Sequence, residues 1–142
     1  MKEKLLSYFF SFQKKFPQKN SISSPQSAVR LLADIRAFKK EYFVALLLNS
    51  RNELILREII SIGSVNASIV HPREVFEPAI RESASSLILA HNHPSGDSTP
   101  SEEDETITKR LKEAGKIIGI DVIDHIIVSK NTYFSFKEHN LL

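Results

Sequence analysis

His91 and His93 stand two positions apart at the end of a short apolar run, Ser86 to Ala90 (SLILA). On a strand, alternate side chains share a face, so both imidazoles point to one place at the carboxyl end of that run. Two metal ligands are thereby in hand. The polar loop that follows, with Pro94, Gly96 and Pro100, turns the chain. Asp104 then falls in the first turn of the next helix, close enough to supply a third ligand. Three ligands drawn from His and carboxylate leave one tetrahedral position open, the arrangement of catalytic rather than structural zinc, in which the metal lowers the pKa of a coordinated water to about 7. Such a site also needs a carboxylate near the metal to take the water's proton, and a donor that faces the developing oxyanion. Glu41, at the head of the run EYFVALLLN, is the candidate for the first role, and Ser101 for the second.

Each residue also has an ordinary reading. Ser101 to Asp104 matches a capping box, in which both side chains merely satisfy helix amides. His91 and His93 can be hydrogen-bonded core histidines, and Glu41 a solvated strand end. What favours chemistry is placement: an energetically costly polar cluster follows SLILA directly, where the pattern calls for more core.

The surrounding elements must position these residues. Leu5, Phe9, Phe12 and Phe16 recur at helical spacing and predict a helix that ends before Pro17, with Pro17 to Ser24 as a linker. Ser24 as N-cap and Pro25 at the first helical position predict a second helix, with Ala28, Leu31, Leu32 and Ile35 on its apolar stripe, ending near Ala37. Glu41 to Asn49 reads as a strand covered on both faces. Ser50-Arg51-Asn52 turns the chain, and Glu53 to Ile62 is the antiparallel partner, bounded by Gly63. Pro72 opens a helix with Val75, Phe76, Ala79 and Ile80 on one side and Pro78 inside it. After SLILA, Ser101 caps a helix carrying Ile107, Leu111, Ala114 and Ile118, which Gly115 and Gly119 weaken or close. Asp121 to Ser129 and Tyr133 to Phe136 form a hairpin around Lys130-Asn131. This order makes an α/β or α+β domain with a mixed sheet.

The 142 residues suit one domain, and 42% hydrophobic with 25% charged residues is globular composition. The absence of cysteine excludes disulfide scaffolds, thiolate nucleophiles, zinc ribbons and iron–sulfur clusters. Any metal site must use His, Asp, Glu or water. No apolar run approaches the roughly 18 residues of a membrane span, so the expectation is a cytoplasmic protein without a membrane partner. The net charge of +2 hides an asymmetry. Residues 1–40 hold nine bases against two acids (+7), and the remainder ten against fifteen (−5). That segment raises a second hypothesis, a nucleic-acid partner bound through the basic forty residues, with the metal site nucleolytic, structural or silent.

The spacing HxH, seven residues, Ser, two residues, Asp resembles the JAMM signature of the JAB/MPN metalloprotease superfamily. The longer stretches LILAHNHPSGDSTPSEED, IGSVNASIVHPREVFEPAI and IGIDVIDHIIV are similar to its RadC-like branch, over roughly Pro25 to Leu142. The resemblance implies an MPN/JAB-like, cytidine-deaminase-like fold, a curved mixed sheet flanked by helices. It implies Zn²⁺ on His91, His93 and Asp104, Glu41 as general acid/base and Ser101 as oxyanion donor. The substrate implied is a peptide or protein conjugate cleaved at an amide. Glu53 and Glu58 on the next strand compete with Glu41 for the base. Residues 1–24 are expected to form a helical extension and linker, and 25–142 the metallo domain. Relatives carry a helix-hairpin-helix-like module ahead of that domain, which residues 1–24 do not supply, and a DNA-repair label. Asp124 and His125 resemble the family's DH pair, with ligand orientation or a core role both open. Asp97 reads as a turn residue beside Gly96, His71 as a helix-opening residue and His139 as a frayed terminal one.

Overall fold

Every residue from Phe43 to Leu48 is buried, which makes this run the middle of a sheet covered on both sides. A computed structural model describes residues 21–66 and 68–142. The predicted helix from Leu5 to Phe16 lies outside the described residues. Among the described residues the elements are α1 (Pro25–Arg30), a 3-10 turn (Ile35–Ala37), β1 (Tyr42–Leu48), β2 (Leu54–Ile62), α2 (Pro72–Arg81), β3 (Ser86–Asn92), α3 (Glu102–Ile118), β4 (Asp121–Val128) and β5 (Tyr133–Ser135). The sheet order is β2-β1-β3-β4-β5. β3 and β4 are parallel, joined by the crossover helix α3, and the other neighbours are antiparallel. The expected mixed α/β sheet flanked by helices is thus present.

Alternation along the strands divides the core in two. Phe43, Ala45, Leu47, Leu87 and Leu89 face α2 and α3, where Val75, Phe76, Ile107 and Leu111 complete one cluster. Val44, Leu46, Leu48, Ile88 and Ala90 face α1 and the 3-10 turn, packing on Ala28, Leu32 and Ile35. His91 continues the parity of Leu87 and Leu89, so it projects to the α3 side. Pro78 lies within α2 without ending it. Gly119, at φ 86°, closes α3 in the left-handed conformation. Gly115 serves close packing rather than helix termination: a Cβ there would stand 2.5 Å from the Ile120 carbonyl oxygen.

Two departures from the sequence reading have local causes. The second helix, expected to reach Ala37, stops at Arg30. The buried Arg57 donates to the Leu31 carbonyl (2.7 Å) and grips Asp34 through two 2.8 Å hydrogen bonds. That guanidinium takes the place of the next helical turn as partner for the carbonyl. At the other end, Ser21 bridges to Glu53, and the Ile22 amide donates to the Asn52 carbonyl (2.8 Å) with the Ile22 side chain buried. The tail of the expected linker therefore packs on the domain.

Candidate metal centre

Strand β3 delivers His91, the position just past its end at Asn92 delivers His93, and helix α3 delivers Asp104 from its first turn. The three side chains converge. His91 Nε2 lies 3.0 Å from His93 Nε2, and the Asp104 oxygens lie 3.2 Å from each of those nitrogens. Ligands about 2.0–2.1 Å from a tetrahedral ion are about 3.3 Å from one another. The two imidazole nitrogens are thus spaced nearly as neighbouring ligands of such an ion, and the two Asp104 oxygens face one nitrogen each, Oδ1 toward His91 and Oδ2 toward His93. His91 and Asp104 are buried, while His93 keeps some exposure toward solvent on the open side. Two imidazoles and a carboxylate suit several divalent transition metals.

The remaining polar atoms of these side chains are held in place. His93 Nδ1 meets the Asp97 carbonyl at 2.8 Å, so Asp97 serves through its backbone, while its carboxylate accepts from the Thr99 amide in the expected turn. Asp104 also fulfils its ordinary role. Ser101 Oγ accepts from the Asp104 amide (3.1 Å) and Asp104 Oδ2 accepts from the Ser101 amide (2.9 Å), a complete capping box. The capping box is present, and the same carboxylate faces the two histidines.

Glu41 precedes β1. Phe43 is the partner of His91 in the antiparallel register, which carries Glu41 toward His93. Its charge is felt there, among the causes that raise the His93 pKa. Its own carboxylate accepts from the Val65 amide (2.7 Å), and its carbonyl accepts from the Gly63 amide (2.8 Å). The competing acids are elsewhere. Glu58 pairs with Ala45 on the outer strand, and Glu53 lies beside the Leu48 end of β1, several strand positions from His91.

Two contributions escape the sequence reading, and a third is one it leaves open. Asn92, between the ligands and on the opposite face, accepts from the Tyr42 amide (2.7 Å) and donates to the Lys40 carbonyl (2.9 Å). It clamps the segment bearing Glu41 to β3. Val65 holds the Glu41 carboxylate through a backbone amide, which no side-chain pattern announces. His125, left open between two roles, touches His91 directly, Nε2 to Nδ1 at 2.8 Å. Its neighbour Asp124 points the other way. There the Asp124 carboxylate accepts from the His125 and Lys137 amides and from the Ser135 hydroxyl, tying the C-terminal segment down. His71 caps α2 without a side-chain bond, as a helix-opening residue. His139 is not frayed but stacked on Phe134, with centroids 4.1 Å apart.

The charges follow from this packing. Burial works against the charged form of His93, but the Asp104 carboxylate, the Asp97 carbonyl and Glu41 outweigh it, and its pKa is raised. Burial likewise pushes Asp104 up, yet the His91 and His93 imidazoles beside it hold it well below the carboxylate range. In the metal-free protein, the His93 interaction therefore stabilises the fold below the ordinary histidine value and is lost as pH rises through the raised one. A cation on Nε2 must displace that proton. Zinc affinity, measured by competition titration from about pH 5.5 to about 8, should rise about tenfold per unit and level off once His93 is neutral. A flat profile would show that His93 is no ligand.

Among the described residues, no helix is long and apolar enough to cross a membrane. The basic segment is only partly described. Within its described part, Arg36 donates to the carbonyls of Ser129 (2.7 Å) and Thr132 (3.3 Å).

Residues 22–141 match the family described as the RadC-like JAB domain. A protein of Alkaliphilus metalliredigens (strain QYMF), named UPF0758 protein, is 58% identical over 122 residues, 85% of this chain and 53% of that protein. One of Alkaliphilus oremlandii (strain OhILAs) with the same name is 60% identical over 112 residues, 79% of this chain and 48% of that protein. One of Methanosarcina mazei is 49% identical over 125 residues, 87% of this chain and 55% of that protein. The chain spans about half the length of the curated relatives it matches.

Proposed function

Because the chain belongs to the RadC-like JAB family, we propose that it is a cytoplasmic zinc-dependent hydrolase that cleaves a peptide or isopeptide-like amide. The observation that carries this reading is the convergence of His91, His93 and Asp104, whose imidazole nitrogens lie 3.0 Å apart with a carboxylate oxygen 3.2 Å from each, His93 being the partly exposed member. Zinc held there would supply an acidified water and polarise the substrate carbonyl. His91, His93 and Asp104 would hold it, with the Asp97 carbonyl and His125 orienting the two imidazoles.

The protein's own residues divide the rest. Glu41, kept beside His93 by the Asn92 clamp and the Val65 amide, takes the proton of the attacking water. As the carbon–nitrogen bond breaks, the same carboxyl group returns that proton to the departing amine. Ser101 Oγ already accepts from the Asp104 amide, which leaves its hydroxyl hydrogen to donate to the carbonyl oxygen as it gains charge.

The test is metal content followed by turnover. Purified protein is expected to carry about one zinc per chain and to hydrolyse members of a panel of peptides and isopeptide-linked conjugates. Chelation should abolish that activity, and zinc should restore it. Protein that binds no zinc would sink the metal reading. Zinc-loaded protein inert on every amide but cutting DNA would transfer the site to the nucleolytic reading.

A further inference from the structure

Behind His91 runs a line of hydrogen bonds whose direction is set at one end. The Thr108 hydroxyl donates to the Asp104 carbonyl (2.6 Å), which can only accept. Thr108 has one hydroxyl proton, so the 2.6 Å contact from His125 Nδ1 to Thr108 Oγ must be donated by the imidazole. A neutral His125 protonated at Nδ1 has a bare Nε2. The 2.8 Å contact to His91 must then be donated by His91 Nδ1. This leaves His91 Nε2 as the atom free to give a lone pair, and it is the atom that faces His93 and Asp104.

The surroundings confine the line to these partners. His91 and His125 have no exposed surface, and Thr108 is buried. His125 lies parallel to Phe136, with centroids 4.8 Å apart, and edge-on to Phe43 at 5.6 Å. These rings offer no alternative acceptor for Nδ1. The line also closes on itself, since Asp104 anchors it through its carbonyl and faces His91 through its carboxylate.

We propose that Thr108 and His125 are positioning residues that fix the tautomer of His91, keeping a proton on Nδ1 and presenting Nε2 to a divalent cation. This rests on the reading of the site as a metal centre and adds to it what prepares one ligand before the cation arrives. Thr108 lies on α3 one helical turn beyond Asp104, so a single helix supplies both a ligand and the anchor for the imidazole opposite it.

The test uses Thr108→Val, which keeps the shape and removes the hydroxyl, and Thr108→Ser, which restores it. Long-range proton–nitrogen NMR on protein with labelled histidine reads the tautomers without zinc, and a competition titration with Zn²⁺ alone reads affinity. In the wild type, His91 and His125 are expected as Nδ1-protonated forms. Thr108→Val is expected to turn both to the Nε2-protonated form and to weaken zinc by about 10–100-fold, with Thr108→Ser close to wild type. A neutral wild-type His91 protonated at Nε2 would overturn the proposal, as would a Thr108→Val protein binding zinc like the wild type. Should Thr108→Val fail to fold, the wild-type tautomers alone decide. A wild type that binds no zinc but shows the stated tautomers would refute the metal centre and leave the hydrogen-bond line standing.

Discussion

Replacing Glu41 with Gln should lower the proposed amide hydrolysis by about 10²–10⁴-fold, the range for a positioned general acid–base, while zinc stays bound. Gln keeps the length of the side chain and an oxygen to accept from the Val65 amide, so the local fold is preserved. What it loses is the capacity to take a proton from water and return it to the amine. Zinc is retained because the proposed ligand set of His91, His93 and Asp104 excludes Glu41. The checks are kcat/KM on a substrate found in the amide panel and zinc content of the same preparation. Glu53→Gln serves as a control at the other end of the sheet and should leave kcat/KM unchanged. Full activity in Glu41→Gln would move the base to another residue, and lost zinc would make Glu41 a ligand.

The elements that position these residues were readable because their signals are local. Ser24-Pro25 and Ser101 with Asp104 mark helix starts by capping chemistry confined to a few residues, and both N-caps form. The continuous apolar runs of β1 and β3 report burial on both faces. What escaped depends on partners distant in sequence. Arg57 ends α1 across 26 positions, and Asn92 reaches Tyr42 across 50. His125, whose role the sequence leaves open, is the sharper case. Leu87 pairs with Val122 but Ile88 with Asp124, so Ile123 is an extra residue in β4. This bulge lets Val122 and His125 both face the α3 side, although strict alternation would send one of them to the other face. Without that irregularity Asp124 would take the parity of Val122, and the order of the DH pair would point the carboxylate toward His91.

Asp104 carries two functions in one carboxylate, and paired substitutions separate them. Asp104→Ala should lose zinc affinity by well over the roughly 10–100-fold seen when only a residue supporting a ligand is removed. It should also destabilise the metal-free protein by about 1 kcal/mol, because the Ser101 amide loses its acceptor at the start of α3. Asp104→Asn keeps an oxygen for that amide and so should spare the helix, yet it withdraws the anionic ligand and should bind zinc far more weakly than wild type. Both variants remove the carboxylate that raises the His93 pKa, so His93 should titrate lower than in the wild type. Zinc competition, thermal unfolding in excess chelator and the His93 NMR titration follow the three effects independently. If Asp104→Asn held zinc as the wild type does, Asp104 would be a helix cap only, and two histidines alone would be too few to define a catalytic metal site. If it lost zinc while keeping its unfolding temperature, the cap would be the means by which the helix aims its ligand. Folding of α3 and assembly of the centre would then be one event, completed when the first turn docks on β3.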